Sequence, residues 1–150
     1  MFRGQYEHAI DAKGRTSVPA KFRDVLVANG EARLVMTPGL EPCLVAWPIK
    51  EWLAFEERLS KLPQFDASVA SIRRIYVSGA VELEVDKLGR LLVPKELRDA
   101  AGLGRDVLWA GMGRHVELWD KERFAALRRA VLDDATKRAE VAARLAELGL

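Results

Sequence analysis

The sequence predicts an α+β fold in which two barrel-like halves, built from one repeated unit, each carry helices. The stretch from Asp11 to Asp24, DAKGRTSVPAKFRD, returns as DKLGRLLVPKELRD from Asp86 to Asp99 without a gap. Apolar and polar residues alternate ahead of both stretches, as in half-buried strands. Amphipathic helical patterns follow each unit, first from Glu51 to Leu62 and then in the C-terminal tail. Because an internal repeat decides the architecture, we expect two matched halves.

Each half is predicted to contain a strand, a loop, a strand, a short helix, a strand, a turn and a strand. In the first half, a strand covers Phe2 to Ile10 and a short strand covers Arg15 to Val18. Pro19 is expected to open a helix that ends near Asn29-Gly30. The second half repeats this order from Val77, with Pro94 opening its helix. The remaining strands are predicted at Leu34 to Met36, Cys43 to Trp47, Val107 to Trp109 and His115 to Trp119.

Helices are also predicted between the halves and in the tail. The helix from Glu51 to Leu62 has one apolar stripe and should stop at Pro63. Asp66 can cap a second helix, whose apolar residues are Val69, Ile72 and Ile75. Asp133-Asp134 divides the tail into two helices. The tail residues expected to face inward are Phe124, Leu127 and Val131, followed by Ala139, Ala142, Leu145 and Leu148.

Composition restricts the class of protein. The net charge is only +2, so any surface that binds nucleic acid must be a local basic patch. The single cysteine, Cys43, excludes an intrachain disulfide, fits a reducing cytoplasm and is expected to be buried among apolar neighbours. No apolar stretch is long enough for a signal peptide or a membrane span, so we expect a cytosolic protein without membrane contact.

Residues suited to catalysis are scarce. The chain has two histidines, and no group of histidine, cysteine and acidic residues has metal-ligand spacing. His8 aligns with Leu83 of the second half, which indicates a packed histidine at the edge of the core. No general acid–base pair or nucleophile motif is present, so we expect no enzyme, no cofactor, no metal and no small-molecule substrate.

The repeated loop is the candidate site. Asp11 and Asp86 can accept hydrogen bonds from the following backbone, and Gly14 and Gly89 permit positive φ. Arg15 or Arg90 then leaves each loop, and its planar fork suits phosphate and guanine alike. An alternative remains open, in which Arg15 only pairs with Asp11 and locks the turn. The other basic residues expected to contact DNA are Lys13, Lys87, Lys21, Arg23, Lys95 and Arg98.

These motifs resemble those of the MraZ family, whose members carry two SpoVT-AbrB modules in tandem. The similarity begins at F-R-G, continues through D-A-K-G-R-x-x-V-P-x-x-F-R and D-K-L-G-R-L-L-V-P-x-x-L-R-D-A-A-G-L, and ends at E-L-W-D, which covers nearly the whole chain. The family's D-x-x-x-R motif falls on Asp11 with Arg15 and on Asp86 with Arg90. By this resemblance, the two arginines are the DNA-contacting positions. Leu88 replaces Lys13 in the second loop, so the loops need not contact DNA equally.

The resemblance also implies an architecture and a biological role. It implies a swapped-hairpin double-split β-barrel, with modules at 5–50 and 79–122, connecting helices at 51–76 and a helical tail at 123–150. It implies a nucleoid-associated transcriptional regulator, expected to be a repressor of the division and cell-wall gene cluster. This regulator would form a ring-shaped homo-oligomer and bind short direct repeats in double-stranded DNA upstream of its own gene. The alternatives are an AbrB-like antitoxin or protein-interaction module, a structural ring protein and, more remotely, an enzyme.

Overall fold

The computed structural model describes all 150 residues, and both copies of the repeat have the predicted element order. Each copy contains a strand, a short strand, a short helix and a β-hairpin. The first copy consists of β1 (Gln5–Ala9), β2 (Arg15–Ser17), α1 (Ala20–Ala28), β3 (Arg33–Pro38) and β4 (Leu44–Pro48). The second consists of β5 (Val81–Glu84), β6 (Arg90–Leu92), α4 (Lys95–Ala100), β7 (Asp106–Gly111) and β8 (Val116–Asp120). Pro19 and Pro94 are the N-cap residues of α1 and α4, so each helix begins one residue later than expected.

The segment between the copies is helical for longer than the sequence pattern indicated. Helix α2 (Ile49–Ser60) is followed by α3 (Ala67–Ile72), whose N-cap Asp66 accepts a hydrogen bond from the Val69 N–H at 3.0 Å. A π-helical segment, Arg73–Val77, continues α3, so the prediction of a strand from Val77 is wrong. One reason is that the buried Thr37 hydroxyl donates to the Tyr76 carbonyl at 2.7 Å, which satisfies a carbonyl near this helix end.

Strands of both copies form one six-stranded antiparallel sheet of order β1-β7-β8-β4-β3-β5. The first strand of each copy therefore pairs with the hairpin of the other copy. Tyr6 of β1 faces Trp109 of β7, and Leu83 of β5 faces Leu34 of β3. Strands β2 and β6 form a separate antiparallel ribbon. Because every sheet includes strands from both copies, neither copy completes a sheet alone.

A single hydrophobic core lies between the copies. Phe22 of α1 is 1% exposed, and its ring meets Phe2, Tyr6 and Trp109 edge to face, with centroids 5.4, 5.2 and 6.5 Å apart. Edge-to-face pairs at these separations add to the stabilisation from buried area. Leu97 of α4 and Ala101, which follows this helix, are both buried. The core therefore depends on side chains from both copies.

Residues 1–120 form one compact unit, and residues 121–150 form a second, purely helical unit. The helical unit contains α5 (Lys121–Leu132) and α6 (Ala135–Glu147), with the predicted break at Asp133-Asp134. The Asp134 carboxylate caps α6 by accepting from the Lys137 N–H at 3.1 Å. Neither helix contains a buried residue, so the prediction that Leu127, Leu145 and Leu148 face inward is wrong for the single chain. None of the helices is long and apolar enough to cross a membrane.

Candidate nucleic-acid interface

The first repeated loop is closed by Asp11. Its carboxylate oxygen Oδ1 accepts from the backbone N–H groups of Lys13 and Arg15, both at 2.9 Å. The Asp11 carbonyl accepts from the Gly14 N–H at 3.0 Å, and the Asp11 N–H donates to the Arg15 carbonyl at 2.9 Å. Gly14 has a φ of 93°, which favours glycine over residues with a Cβ atom. The aspartate and the glycine therefore perform the roles that the sequence indicated.

The second loop repeats this geometry. Asp86 Oδ1 accepts from the backbone N–H groups of Leu88 and Arg90 at 2.8 and 2.9 Å, and Gly89 has a φ of 76°. The backbone N–H groups of Arg15 and Arg90 donate hydrogen bonds to Asp11 and Asp86, respectively. These bonds, partly opposed by desolvation, hold the pKa values of both aspartates below their usual range. Both carboxylates therefore remain ionised at neutral pH and keep each loop closed.

Each arginine is oriented by its aspartate through only one edge of the guanidinium group. Arg15 Nε lies 2.8 Å from Asp11 Oδ2, and Arg90 Nε lies 3.3 Å from Asp86 Oδ2. The Nη1 and Nη2 atoms of both arginines take no part in these bonds to the aspartates. The arginine–aspartate pair that the sequence left as an alternative is thus present, yet it leaves the terminal fork of each side chain open. Such a fork can bind a phosphate or a guanine edge in bidentate geometry.

The β2–β6 ribbon brings the two arginines together on one face. Arg15 lies opposite Leu92, and Arg90 lies opposite Ser17. The intervening Thr16 and Leu91 are each 2% exposed and point into the protein, so the arginines point outward. In this register Arg15 and Arg90 are diagonal neighbours, with Cα atoms about 7–8 Å apart. That separation spans about two base-pair steps of a DNA strand.

Each loop is held by the other copy. The Gly14 carbonyl accepts from the Val93 N–H, and the Gly89 carbonyl accepts from the Val18 N–H, both at 2.8 Å. The Arg98 side chain of α4 packs against Gly14, and the Arg23 side chain of α1 packs against Gly89. A Cβ atom on Gly14 would lie 3.0 Å from Arg98 Cζ, and one on Gly89 would lie 2.6 Å from Arg23 Cζ.

The other predicted basic residues fall into two groups. Lys13, Lys21 and Lys87 are exposed, and Lys95 is exposed in an ion pair of 2.6 Å with Asp99. Arg23 and Arg98, by contrast, are half-buried beneath the loops. Arg98 Nε donates to the Val93 carbonyl at 3.1 Å, whereas Arg23 Nε is buried without a partner. Contact of any of these six residues with DNA remains a prediction. The structure also places Arg23 and Arg98 beneath the loops, where they support them.

Sequence reasoning missed two residues on the outward face of the ribbon, Ser17 and Leu92. The signal was present, because each lies two positions after a loop arginine and side chains of a strand alternate between faces. The prediction considered only charged side chains, and neither serine nor leucine carries a charge. Both therefore join the loops and arginines as members of the candidate interface.

The remaining reactive residues lie outside this face. His8 is half-buried, and this burial, followed by the charge of Arg23, lowers its pKa. Cys43 is 2% exposed as predicted, and burial together with Glu117 and Glu41 raises its pKa to about 12. No group of three or more histidine, cysteine or acidic side chains has the arrangement of a metal site. The outward arginine forks are the distinctive chemical feature of the chain.

The fold and the site define a tandem-repeat α+β protein. Its two repeats exchange strands and display two matched arginine loops on one face. A family model described as "MraZ protein, putative antitoxin-like" matches residues 1–75 and 76–146. The chain therefore belongs to the MraZ family. The two matched ranges also agree with the division into two copies.

Relatives from several bacteria support this assignment. A protein of Acetivibrio thermocellus named transcriptional regulator MraZ is 41% identical over 150 residues, which is 100% of both chains. One of the same name from Heliobacterium modesticaldum is 48% identical over 125 residues, 83% of this chain and 85% of the relative. A third, from Lachnoclostridium phytofermentans, is 42% identical over 100% of this chain and 99% of its own length. The chain thus falls among proteins named for the regulation of transcription rather than for a catalysed reaction.

Proposed function

We propose that this chain is a cytoplasmic, nucleoid-associated transcriptional regulator that binds double-stranded DNA through Arg15 and Arg90. The observation that carries the proposal is the pair of open guanidinium forks, held by aspartates on one face of the β2–β6 ribbon. The aspartates orient the arginines before DNA arrives, so less side-chain freedom is lost on binding. The exposed Lys13, Lys21 and Lys87 would add attraction to phosphates, which positions the protein without reading sequence.

The biological target follows from the family resemblance. The proposed operator consists of short direct repeats upstream of the protein's own gene, in the cluster for division and cell-wall synthesis, and occupation of this promoter would repress transcription. The proposed architecture is the family's swapped-hairpin double-split barrel, which the exchange of β1 and β5 between copies supports. Each protomer would thereby present two arginine loops in pseudo-equivalent positions.

Assembly into a ring-shaped homo-oligomer is the second part of the proposal. One protomer offers only two forks, so single contacts would be weak. Linking several protomers on successive repeats can raise affinity by roughly 10²–10⁴ without any new contact. The exposed apolar side chains of α6 and its C-terminal end, Val141, Leu145 and Leu148, support contact with a second copy.

The DNA proposal is tested by a shift assay on the fragment upstream of the protein's own gene. Arg15→Ala and Arg90→Ala should each weaken binding by about 1–3 kcal/mol for every bidentate pair with a base that the substitution removes. Arg114→Ala is the matched control, since Arg114 is exposed and has only a long ion pair, 3.8 Å, with Glu51. If both loop variants bind as tightly as the parent and the control, the arginines do not contact DNA and the proposal is wrong.

The ring proposal is tested separately by the molar mass in solution. The chain truncated after Asp120 retains the compact strand-rich unit, and the variant Val141→Ser/Leu145→Ser retains the tail but removes its apolar surface. If the tail joins protomers, both should have a lower mass by light scattering than the intact chain. An unchanged mass in both would assign assembly to another surface. A tail that instead captures a different protein would favour the antitoxin-like or protein-interaction alternative.

A further inference from the structure

The two arginine loops differ in the polarity of their surroundings. Leu88 and Leu92 of the second copy are 72% and 55% exposed. The corresponding positions of the first copy are Lys13 and Ser17. Along the sequence, Arg15 is therefore flanked by a lysine and a serine and Arg90 by two leucines, and the ribbon then places Leu92 opposite Arg15 and Ser17 opposite Arg90. The location of the two leucines, beside the candidate DNA-contacting arginines, distinguishes them from the other exposed apolar residues of the chain.

Leu92 lies at the centre of the candidate interface. It is directly opposite Arg15 in the ribbon register, and it follows Arg90 by two residues on the same strand face. Directly opposite residues have Cβ atoms about 4.5–5.5 Å apart. Any molecule that both arginine forks contact must therefore also cover Leu92. Leu91, between Arg90 and Leu92, is 2% exposed and points into the core.

We propose that Leu92, assisted by Leu88, contacts the 5-methyl groups of thymines in the major groove and makes the interface selective for thymine. This inference rests on the proposed DNA-binding function. Thymine is the only base with an apolar group at the major-groove edge, and apolar side chains recognise it there. The arginine forks beside Leu92 favour a polyanion, and duplex DNA offers both negative charge and apolar methyl groups.

The inequality also gives each protomer a direction on DNA. Two identical loops related by a pseudo-twofold axis would bind a duplex equally well in either orientation. Leu92 lies opposite Arg15 and therefore requires a thymine beside the base read by Arg15, whereas Ser17, opposite Arg90, imposes no such requirement. The protomer therefore binds in one orientation, and its recognition element is asymmetric.

The test compares two forms of the fragment upstream of the protein's own gene, amplified with either dTTP or dUTP. The uracil form lacks every thymine methyl and keeps all hydrogen-bonding groups of the base edges. The parent protein should bind the uracil form about fourfold more weakly for each methyl group that the leucines cover. A factor of about four is the effect on binding of burying one methyl-sized group. Leu92→Ser and the double variant Leu88→Lys/Leu92→Ser install the first copy's own residues. The single variant should have a smaller preference than the parent, and the double variant should bind both forms equally.

Two control variants separate thymine contact from general effects. Lys13→Ala should weaken binding to both forms by the same factor. Leu53→Ser, in a leucine of α2 that is 57% exposed, should leave the preference of the parent unchanged. Absence of binding to the thymine form by the parent would overturn the proposed function itself. Tight, equal binding of both forms by the parent would overturn only the thymine contact, as would a Leu92→Ser variant that keeps the parent's preference.

Discussion

The close approach of Gly14 to the second copy predicts a measurable difference between two glycine substitutions. Gly14 has a φ of 93°, and an added Cβ would lie 2.8 Å from the Val93 carbonyl oxygen. Gly30, at the end of α1, also has a positive φ, 72°, but its Cβ would meet nothing within 4 Å. Gly14→Ala therefore combines backbone strain with a steric clash, whereas Gly30→Ala introduces strain alone.

The magnitudes follow from these two effects. A left-handed backbone costs a residue with a Cβ about 1–2 kcal/mol, and alanine recovers about 0.4–1 kcal/mol by restricting the unfolded chain. Gly30→Ala should thus lower the free energy of unfolding by about 1 kcal/mol or less. The clash with the Val93 carbonyl adds an overpacking cost of about 1–3 kcal/mol, so Gly14→Ala should lower the free energy of unfolding by about 1–4 kcal/mol. A carbonyl in the backbone cannot turn aside as a flexible side chain can.

Urea unfolding followed by circular dichroism measures both costs. Protein concentration must be identical in all samples, since association of protomers would raise the apparent stability. The parent and both variants should have equal m-values, so that the midpoints report stability alone. If Gly14→Ala is no less stable than Gly30→Ala, the first loop does not pack closely against the Val93 carbonyl of the second copy.

Two further predictions concern titratable groups. Asp11→Asn keeps an acceptor for the Lys13 and Arg15 N–H groups but removes the acceptor for Arg15 Nε, so DNA affinity should fall about twofold to tenfold from the cost of ordering one side chain. Shift assays should show this decrease while the urea midpoint changes little, and unchanged affinity would mean that the aspartate does not orient the arginine. Burial lowers the pKa values of His8 and His115 below 6.5, so the unfolded chain binds more protons and stability should fall as pH drops below 6.5. Urea midpoints between pH 7.5 and 5 measure this fall. His115→Gln should show a weaker pH dependence than the parent, and equal slopes would refute the assignment to His115.

The sequence alone determined the repeat and most local structure, because local structure depends on residues close together in the chain. The aspartate and glycine of each loop close it over a few residues, and Pro19, Pro94 and Asp66 mark helix starts by the chemistry of helix ends. The burial of Cys43 also followed from its apolar neighbours. These features use only nearby backbone groups or local hydrophobic patterns.

The tertiary structure decided which copy supports which loop. Nothing in the spacing of the residues indicates that Arg23 packs on Gly89 or that Arg98 packs on Gly14, because these contacts join positions far apart in the chain. The hydrogen bond from Thr37 of β3 to the Tyr76 carbonyl, near the end of the helical continuation, likewise joins distant positions. The outward direction of both arginine forks required the β2–β6 pairing, since only a register between strands fixes which side chains share a face.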